Sequence, residues 1–121
     1  MKITMYGIPN CSTIKKARDW LSAHNIDYDF HNYKKSGVEE ATLQSWCHAT
    51  GWKTLLNQRG TTWRKLSVED KTDINESKAI ALMMIYPSMI KRPIIQDADN
   101  TTLLLVGFDE EKYAEYFSTA Q

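Results

Sequence analysis

Alternation opens the chain. Lys2-Ile3-Thr4-Met5-Tyr6 sets polar against apolar positions and is rich in β-branched and aromatic side chains, which predicts a half-buried strand. Gly7-Ile8-Pro9-Asn10 then crowds turn formers together. Beyond the turn the period changes. Ile14, Ala17 and Leu21 recur at helical spacing, while Lys15, Lys16, Arg18, Asp19 and Ser22 fall elsewhere, so a helix is predicted, with Asn25 as its stop. Asp27 to His31 alternates again, half buried through Tyr28 and Phe30. Strand, helix and strand in this order predict a parallel pair within an α/β domain.

The middle of the chain carries helical patterns. Lys34-Lys35-Ser36-Gly37 reads as a loop. Glu39 to Thr50 reads as a helix with Leu43, Trp46 and Cys47 turned inward and Gly51 ending it. Leu55 to Trp63 has no clear period and is broken by Gly60, which predicts a loop or short helix with turns. Ser67-Val68-Glu69-Asp70 is patterned like a capping box. Asn75 caps a further helix with Ile80, Met83 and Met84 on one face and Pro87 closing it; the methionines read as core filler. Pro93–Asp97 and Thr101–Val106 are predicted strands joined by a hairpin at Asp99-Asn100. Asp109 caps the last helix, with Phe108 and Tyr113 at the spacing of a hydrophobic staple and Tyr116 and Phe117 continuing the face.

Composition narrows the class without naming a function. At 121 residues, 42% hydrophobic and 25% charged, the chain suits one globular domain able to bury a core. No apolar run approaches the roughly 20 residues of a membrane span, and the N-terminus lacks the apolar core of a signal peptide, so a cytoplasmic location is expected. Net charge is zero, with six acids and one base from Asp97 onward and fourteen bases against nine acids before it. Acids dilute the basic side too far for nucleic acid to be the expected partner; a solvated mixed surface, with small anions second, fits it better.

Candidate chemistry centres on Cys11, which falls where the strand has turned and the helix begins. The first amides of a helix lack internal partners and carry the positive end of its dipole. A thiolate there accepts those N–H bonds, and Lys15 and Lys16 add positive charge one turn on. Such settings lower a cysteine pKa from about 8.5 to roughly 3.5–7.5. A cysteine in this position can equally be a small, inert residue, and spacing alone leaves both readings open. Cys11 and Cys47 form no CxxC pair, and reduced thiols are the simplest reading although a bridge is open in principle. Cys47 reads as core. None of His24, His31 or His48 makes a metal spacing with a cysteine, so no metal is expected.

A βαβ unit followed by a ββα unit that begins at a proline resembles the thioredoxin-like fold. The helical block between the halves resembles the insertion of the ArsC (glutaredoxin-linked arsenate reductase) family with its Spx and YffB relatives. Three motifs in order carry the likeness across essentially the whole chain: Tyr6-Gly7-Ile8-Pro9-Asn10-Cys11, Leu55-Leu56-Asn57-Gln58-Arg59-Gly60-Thr61 and Ile90-Lys91-Arg92-Pro93-Ile94. Arg59-Gly60-Thr61-Thr62-Trp63-Arg64-Lys65-Leu66 looks closest to the YffB branch. The resemblance implies one thioredoxin-like domain over residues 1–121, with a mixed four-stranded sheet and a helical insertion at about residues 37–90.

The same resemblance implies Cys11 as nucleophile, Arg59 and Arg92 as anion-binding groups, and a cis peptide before Pro93, beside the cysteine. Taken singly, each arginine would read as surface charge; the motif context assigns them to the site. Asn10, Ser12 and Thr13 complete the expected site, with the Ser12 and Thr13 amides on the thiolate. The expected activity is a glutathione-dependent thiol reductase, with a mixed disulfide resolved by an external thiol because position 14 is Ile rather than a second cysteine. Glutathione is the implied co-substrate, glutaredoxin a possible partner, a small anion or disulfide the substrate, and the protein a monomer. Arsenate reduction is expected to be weak or absent: Gly7 stands where arsenate reductases of this type carry histidine, and Val106-Gly107-Phe108 lacks their further arginine. The alternative is an Spx-like module that binds RNA polymerase without catalysis.

Overall fold

A computed structural model describes residues 2–119. The elements run β1 (Ile3–Gly7), α1 (Ser12–Ala23), β2 (Tyr28–Asn32), α2 (Tyr33–Ser36), α3 (Glu40–Thr50), α4 (Trp52–Leu55), α5 (Thr61–Lys65), α6 (Val68–Lys71), α7 (Glu76–Ile85), a 3₁₀ turn (Pro87–Met89), β3 (Ile94–Asp97), β4 (Asn100–Val106) and α8 (Glu110–Thr119). They fall into two compact units, residues 34–91 forming one and the flanking segments the other.

The flanking unit is built on a mixed sheet of order β2-β1-β3-β4. β1 and β2 run parallel, Ile3 opposite Tyr28 and Gly7 opposite Asn32, the pairing that a crossover through one helix allows. β3 lies antiparallel to β1 on its other edge, and β4 antiparallel to β3 with a register shift between Gln96 and Asp97. This is the thioredoxin-like α/β arrangement expected from the sequence. Ile3, Met5 and Ile95 from the strands pack with Ile14, Ala17, Trp20 and Leu21 of α1 and Tyr113 and Phe117 of α8 in a single core. Trp20 meets Tyr113 edge-on at 5.6 Å between centroids.

Local chemistry fixes the element ends. Asn25 takes φ +57 after α1 and its N–H reaches Ser22 O at 3.1 Å, the left-handed stop that asparagine tolerates. Asp109 Oδ1 accepts the Glu111 and Lys112 amides at 3.1 and 3.2 Å, and the Phe108 and Tyr113 rings sit 5.1 Å apart, so cap and staple both form. Asp97 is a buried carboxylate, but it accepts the Lys2 amide at 3.2 Å, the Asp99 amide at 2.9 Å and the Tyr116 hydroxyl at 2.7 Å. Burial pushes its pKa up; these donors more than offset that and hold it below the usual carboxylate range.

The other unit, residues 34–91, packs α3, α4 and α7 together around Leu43, Trp46, Cys47, Leu55, Ile80 and Met83. Leu56 bridges to Ile90, with Asn57 N donating to Met89 O at 2.7 Å and Lys91 N to Leu55 O at 2.8 Å. Ser67 Oγ accepts the Asp70 amide and Asn75 Oδ1 the Lys78 amide, as their positions predict.

Several local expectations shift. Lys34 to Ser36 continue a single helical turn begun at Tyr33 instead of a loop; Tyr33, wholly buried, anchors that turn. Met84 is 44% exposed, because the buried arc of α7 is Ala79, Ile80, Leu82 and Met83 and the next position rotates out. Leu55 to Trp63 resolves into the end of α4, a turn and the start of α5. β1 ends on Gly7 rather than Tyr6 because Gly7 still pairs with Asn32. The hairpin turn is Ala98-Asp99, and β4 already begins at Asn100.

Candidate functional site

Gly7 sets the geometry of the site. A Cβ there would overlap Ile14 Cδ1, so with glycine the first turn of α1 closes down onto the end of β1 without the Ile14 side chain having to shift. The chain then turns through Pro9 and Asn10 and delivers Cys11 to the N-cap of α1, with φ −138 and ψ 130. An N-cap side chain faces the amides two and three residues on. The amides that act on the sulfur are accordingly those of Ile14 and Thr13; the expected Ser12 amide, at the first helical position, is not among them.

Arg92 supplies the other half of the environment. It precedes Pro93 across a cis peptide bond, as the resemblance implies, and its guanidinium reaches both Cys11 and the hydroxyl of Tyr33. Partial burial pushes the Cys11 thiol up, but the Ile14 amide, the Arg92 guanidinium and the Thr13 amide reverse that and set its pKa below the ordinary value. The lysines are not what does this: Lys15 is engaged with Asp19 at 2.9 Å in a largely exposed pair. Pro93 is buried, and its carbonyl accepts Gly107 N–H at 2.8 Å, tying the site to the end of β4. Gly107 has φ +79 and its own carbonyl accepts the Tyr113 hydroxyl at 2.8 Å.

Sequence reasoning missed Tyr33 and passed over Arg18. Tyr33 follows β2 directly, and a tyrosine buried at 0% exposure needs a partner for its hydroxyl; no local pattern says that the partner is Arg92. Arg18 lies seven residues after Cys11, two helical turns on the same stripe of α1, a spacing that could have found it. Its Nε donates to Tyr28 Oη at 3.0 Å and its guanidinium stacks 4.7 Å from the Phe30 ring centroid. Asn10, Cys11, Ser12, Lys15, Arg18 and Asp19 border an open cleft of about 410 Å³.

The structure brings Asn10, Cys11, Ser12, Thr13, Arg92 and Pro93 into one unit. Arg59 belongs to the other, exposed on the turn between α4 and α5, where its own amide donates to Asn57 Oδ1 at 3.1 Å. Cys47 is 3% exposed on α3; burial pushes its thiol up to about 11, and Glu76 adds to the shift. Among the described residues no group of three or more His, Cys, Asp or Glu is placed to hold a metal ion, and no helix is long and apolar enough to cross a membrane.

Comparison with known proteins gives this geometry a lineage. The chain is 47% identical to the solved structure of the YffB protein, with a TM-score of 0.88, covering 94% of this chain and 97% of that one. It is 44% identical to the structure of an arsenate reductase (ArsC) related protein from Brucella melitensis, with a TM-score of 0.74 and coverage of 97% and 95%. The global transcriptional regulator Spx of Streptococcus pyogenes is 30% identical over 118 residues, 96% of this chain and 85% of that protein. Residues 6–116 match the ArsC family, and the chain belongs to that family.

Proposed function

We propose that this protein is a thiol–disulfide reductase that uses Cys11 as nucleophile and a glutathione-type thiol as co-substrate. The observation that carries the reading is the thiol environment: two helix N-terminal amides and one guanidinium favour the thiolate of Cys11, whereas the other cysteine is buried and held protonated. The likeness to an arsenate reductase related protein supports thiol chemistry of the same general kind.

The reaction runs in two displacements. The Cys11 thiolate attacks the glutathione-side sulfur of a mixed disulfide; a new S–S bond joins Cys11 to glutathione and the substrate leaves as its thiolate. A second glutathione thiolate attacks that bond, returning the Cys11 thiolate and releasing oxidised glutathione. The outside thiol is required because position 14, where a resolving cysteine would sit, is a buried isoleucine. Arg92 stays beside the sulfur throughout and favours it as a thiolate, both as nucleophile and as leaving group. Arg59 remains a proposed anion-binding residue.

Arsenate is a poor substrate in this reading. A small, multiply charged oxyanion needs several charge-assisted donors at once. The histidine position of arsenate reductases is closed here by Ile14 against Gly7, and Gly107 holds a left-handed backbone that an arginine would strain.

The test is mass spectrometry of the intact protein after incubation with oxidised glutathione, followed by peptide mapping. One glutathione on Cys11 and none on Cys47 is the expected result. A second reading, an RNA-polymerase-binding module without turnover, is favoured only by the similarity to Spx. Capture of polymerase subunits by a protein that gains no glutathione would establish it in place of the first.

A further inference from the structure

Among the described residues, the cleft beside Cys11 is bordered by one cation whose charge is not already matched. Lys15 and Asp19 pair across its edge at 2.9 Å. Arg18 makes no ion pair among the described residues, and its only hydrogen bond is from Nε to Tyr28 Oη. That bond and the Phe30 ring 4.7 Å away hold the guanidinium in place. The two terminal nitrogens of the fork are left unbonded among the described residues, on a half-buried side chain that borders the cleft. A fork fixed in advance loses little freedom when it takes a carboxylate with two parallel bonds.

We propose that Arg18 takes the carboxylate of the peptide thiol that forms the mixed disulfide with Cys11, a role that rests on the thiol-reductase reading for the class of ligand. The distance fits. Seven residues along a helix is about 10 Å, and an extended peptide covers roughly 3.3–3.6 Å per residue. Cys11 and Arg18 border the same cleft, so a thiol carried on a peptide of two or three residues is long enough to lie along it from the sulfur toward the fork. Arg18 is a positioning residue: it anchors the far end of the ligand and leaves the sulfur chemistry to Cys11, the amides and Arg92.

The probes are S-methylglutathione, which binds but cannot exchange, and its diethyl ester, which lacks both carboxylates. Calorimetry on the wild type should show the acid bound about tenfold more tightly than the ester, the scale of one charge-assisted hydrogen bond. Arg18→Gln should erase that preference, Arg18→Lys should keep part of it, and Tyr28→Phe, which frees the Nε while keeping the ring, should reduce it. Because Tyr28→Phe leaves the arginine in place, the inference stays testable even if Arg18→Gln folds poorly. A wild type with no preference, or an Arg18→Gln variant that keeps it, overturns the inference. Mixed-disulfide formation is scored separately on the same proteins with oxidised glutathione. Exchange at Cys11 without a carboxylate preference leaves the reductase reading standing and removes Arg18 from it; a preference lost in Arg18→Gln without any exchange does the reverse.

Discussion

The two cysteines of this chain are the same side chain in two settings, and each is pushed toward the protonated form by burial. At Cys47 nothing answers that push. The thiol lies on the inward face of α3, and the charge that acts on it, Glu76, has the same sign as a thiolate would. At Cys11 the push is answered three times, by two amides with no helical partner of their own and by Arg92. The two thiols therefore part company through the donors aimed at the sulfur, which together outweigh burial at Cys11 and are missing from the groups acting on Cys47. The fold supplies those donors by stopping a strand at a glycine, starting a helix at the cysteine and bringing the residue before a cis proline alongside.

The sharpest way to break this comparison is to exchange each sulfur for oxygen. Cys11→Ser should reduce glutathione uptake to background. Cys47→Ser should leave it intact, since a thiol with a pKa of about 11 is ionised in only roughly one molecule in ten thousand at pH 7. Stability should respond the other way round. A serine hydroxyl at position 47 would be buried without an assured partner, costing about 1–3 kcal/mol in urea unfolding. Serine at position 11 is a preferred N-cap and should be neutral or stabilising. Equal loss of reactivity in both variants would sink the division of roles.

The next largest effect is expected at Gly7. Replacing it with alanine forces a Cβ into Ile14 Cδ1, and overpacking of this kind costs about 1–3 kcal/mol. Because the Ile14 amide is one of the donors on Cys11, the same variant should move the thiol titration to higher pH. Adding Ile14→Val removes the colliding methyl and should recover part of both losses. Denaturant midpoints and iodoacetamide rates against pH, measured on the single and double variants, check it. No recovery in the double variant would mean that the close approach of helix to strand is not what holds the cysteine.

Arg92→Gln tests the guanidinium itself. Removing a donor and a positive charge must raise the Cys11 pKa, so its alkylation curve moves to higher pH and the rate at neutral pH falls. The sign for stability follows from the same shift. A thiol with its folded pKa below the unfolded value contributes stability that is fully present above the unfolded pKa and is lost as pH falls through the folded one. That pH-dependent increment should shrink in Arg92→Gln and vanish in Cys11→Ser. Lysine at position 92 should keep part of it, as a point charge without the fork.

How much of this was legible beforehand divides along physical lines. Periodicity and turn chemistry found every strand of the sheet and both helices that cover it, because those elements bury one face and their caps are local: Asn25, Asp109 and the Phe108–Tyr113 staple are each decided within a few residues. Cys11 was placed at the helix start by the same local rules. The Arg92 contact was legible only through family resemblance, since 81 positions separate it from Cys11 and no spacing argument spans that gap. The Lys34–Ser36 turn and Met84 were misjudged because a buried neighbour, Tyr33 in one case and Leu82–Met83 in the other, decides them through tertiary packing. Gly7 looked like an absent histidine; its role as the opening that admits Ile14 exists only once strand and helix are packed.

Tyr33 should give the smallest effect. Its ring is wholly buried and its hydroxyl meets Arg92, so it acts on the sulfur through another residue. Tyr33→Phe keeps the ring and its packing but removes the hydroxyl that meets the guanidinium. Arg92 keeps its charge, so the Cys11 titration should shift upward by less than in Arg92→Gln while remaining below that of an ordinary cysteine. The double variant separates this from a packing defect. If Tyr33 works through Arg92, adding Tyr33→Phe to Arg92→Gln should move the Cys11 titration no further, although each single change moves it. Additive shifts would mean that the tyrosine influences the thiol by some route other than the arginine, and the hydrogen-bonded chain from Tyr33 through Arg92 to Cys11 would have to be given up.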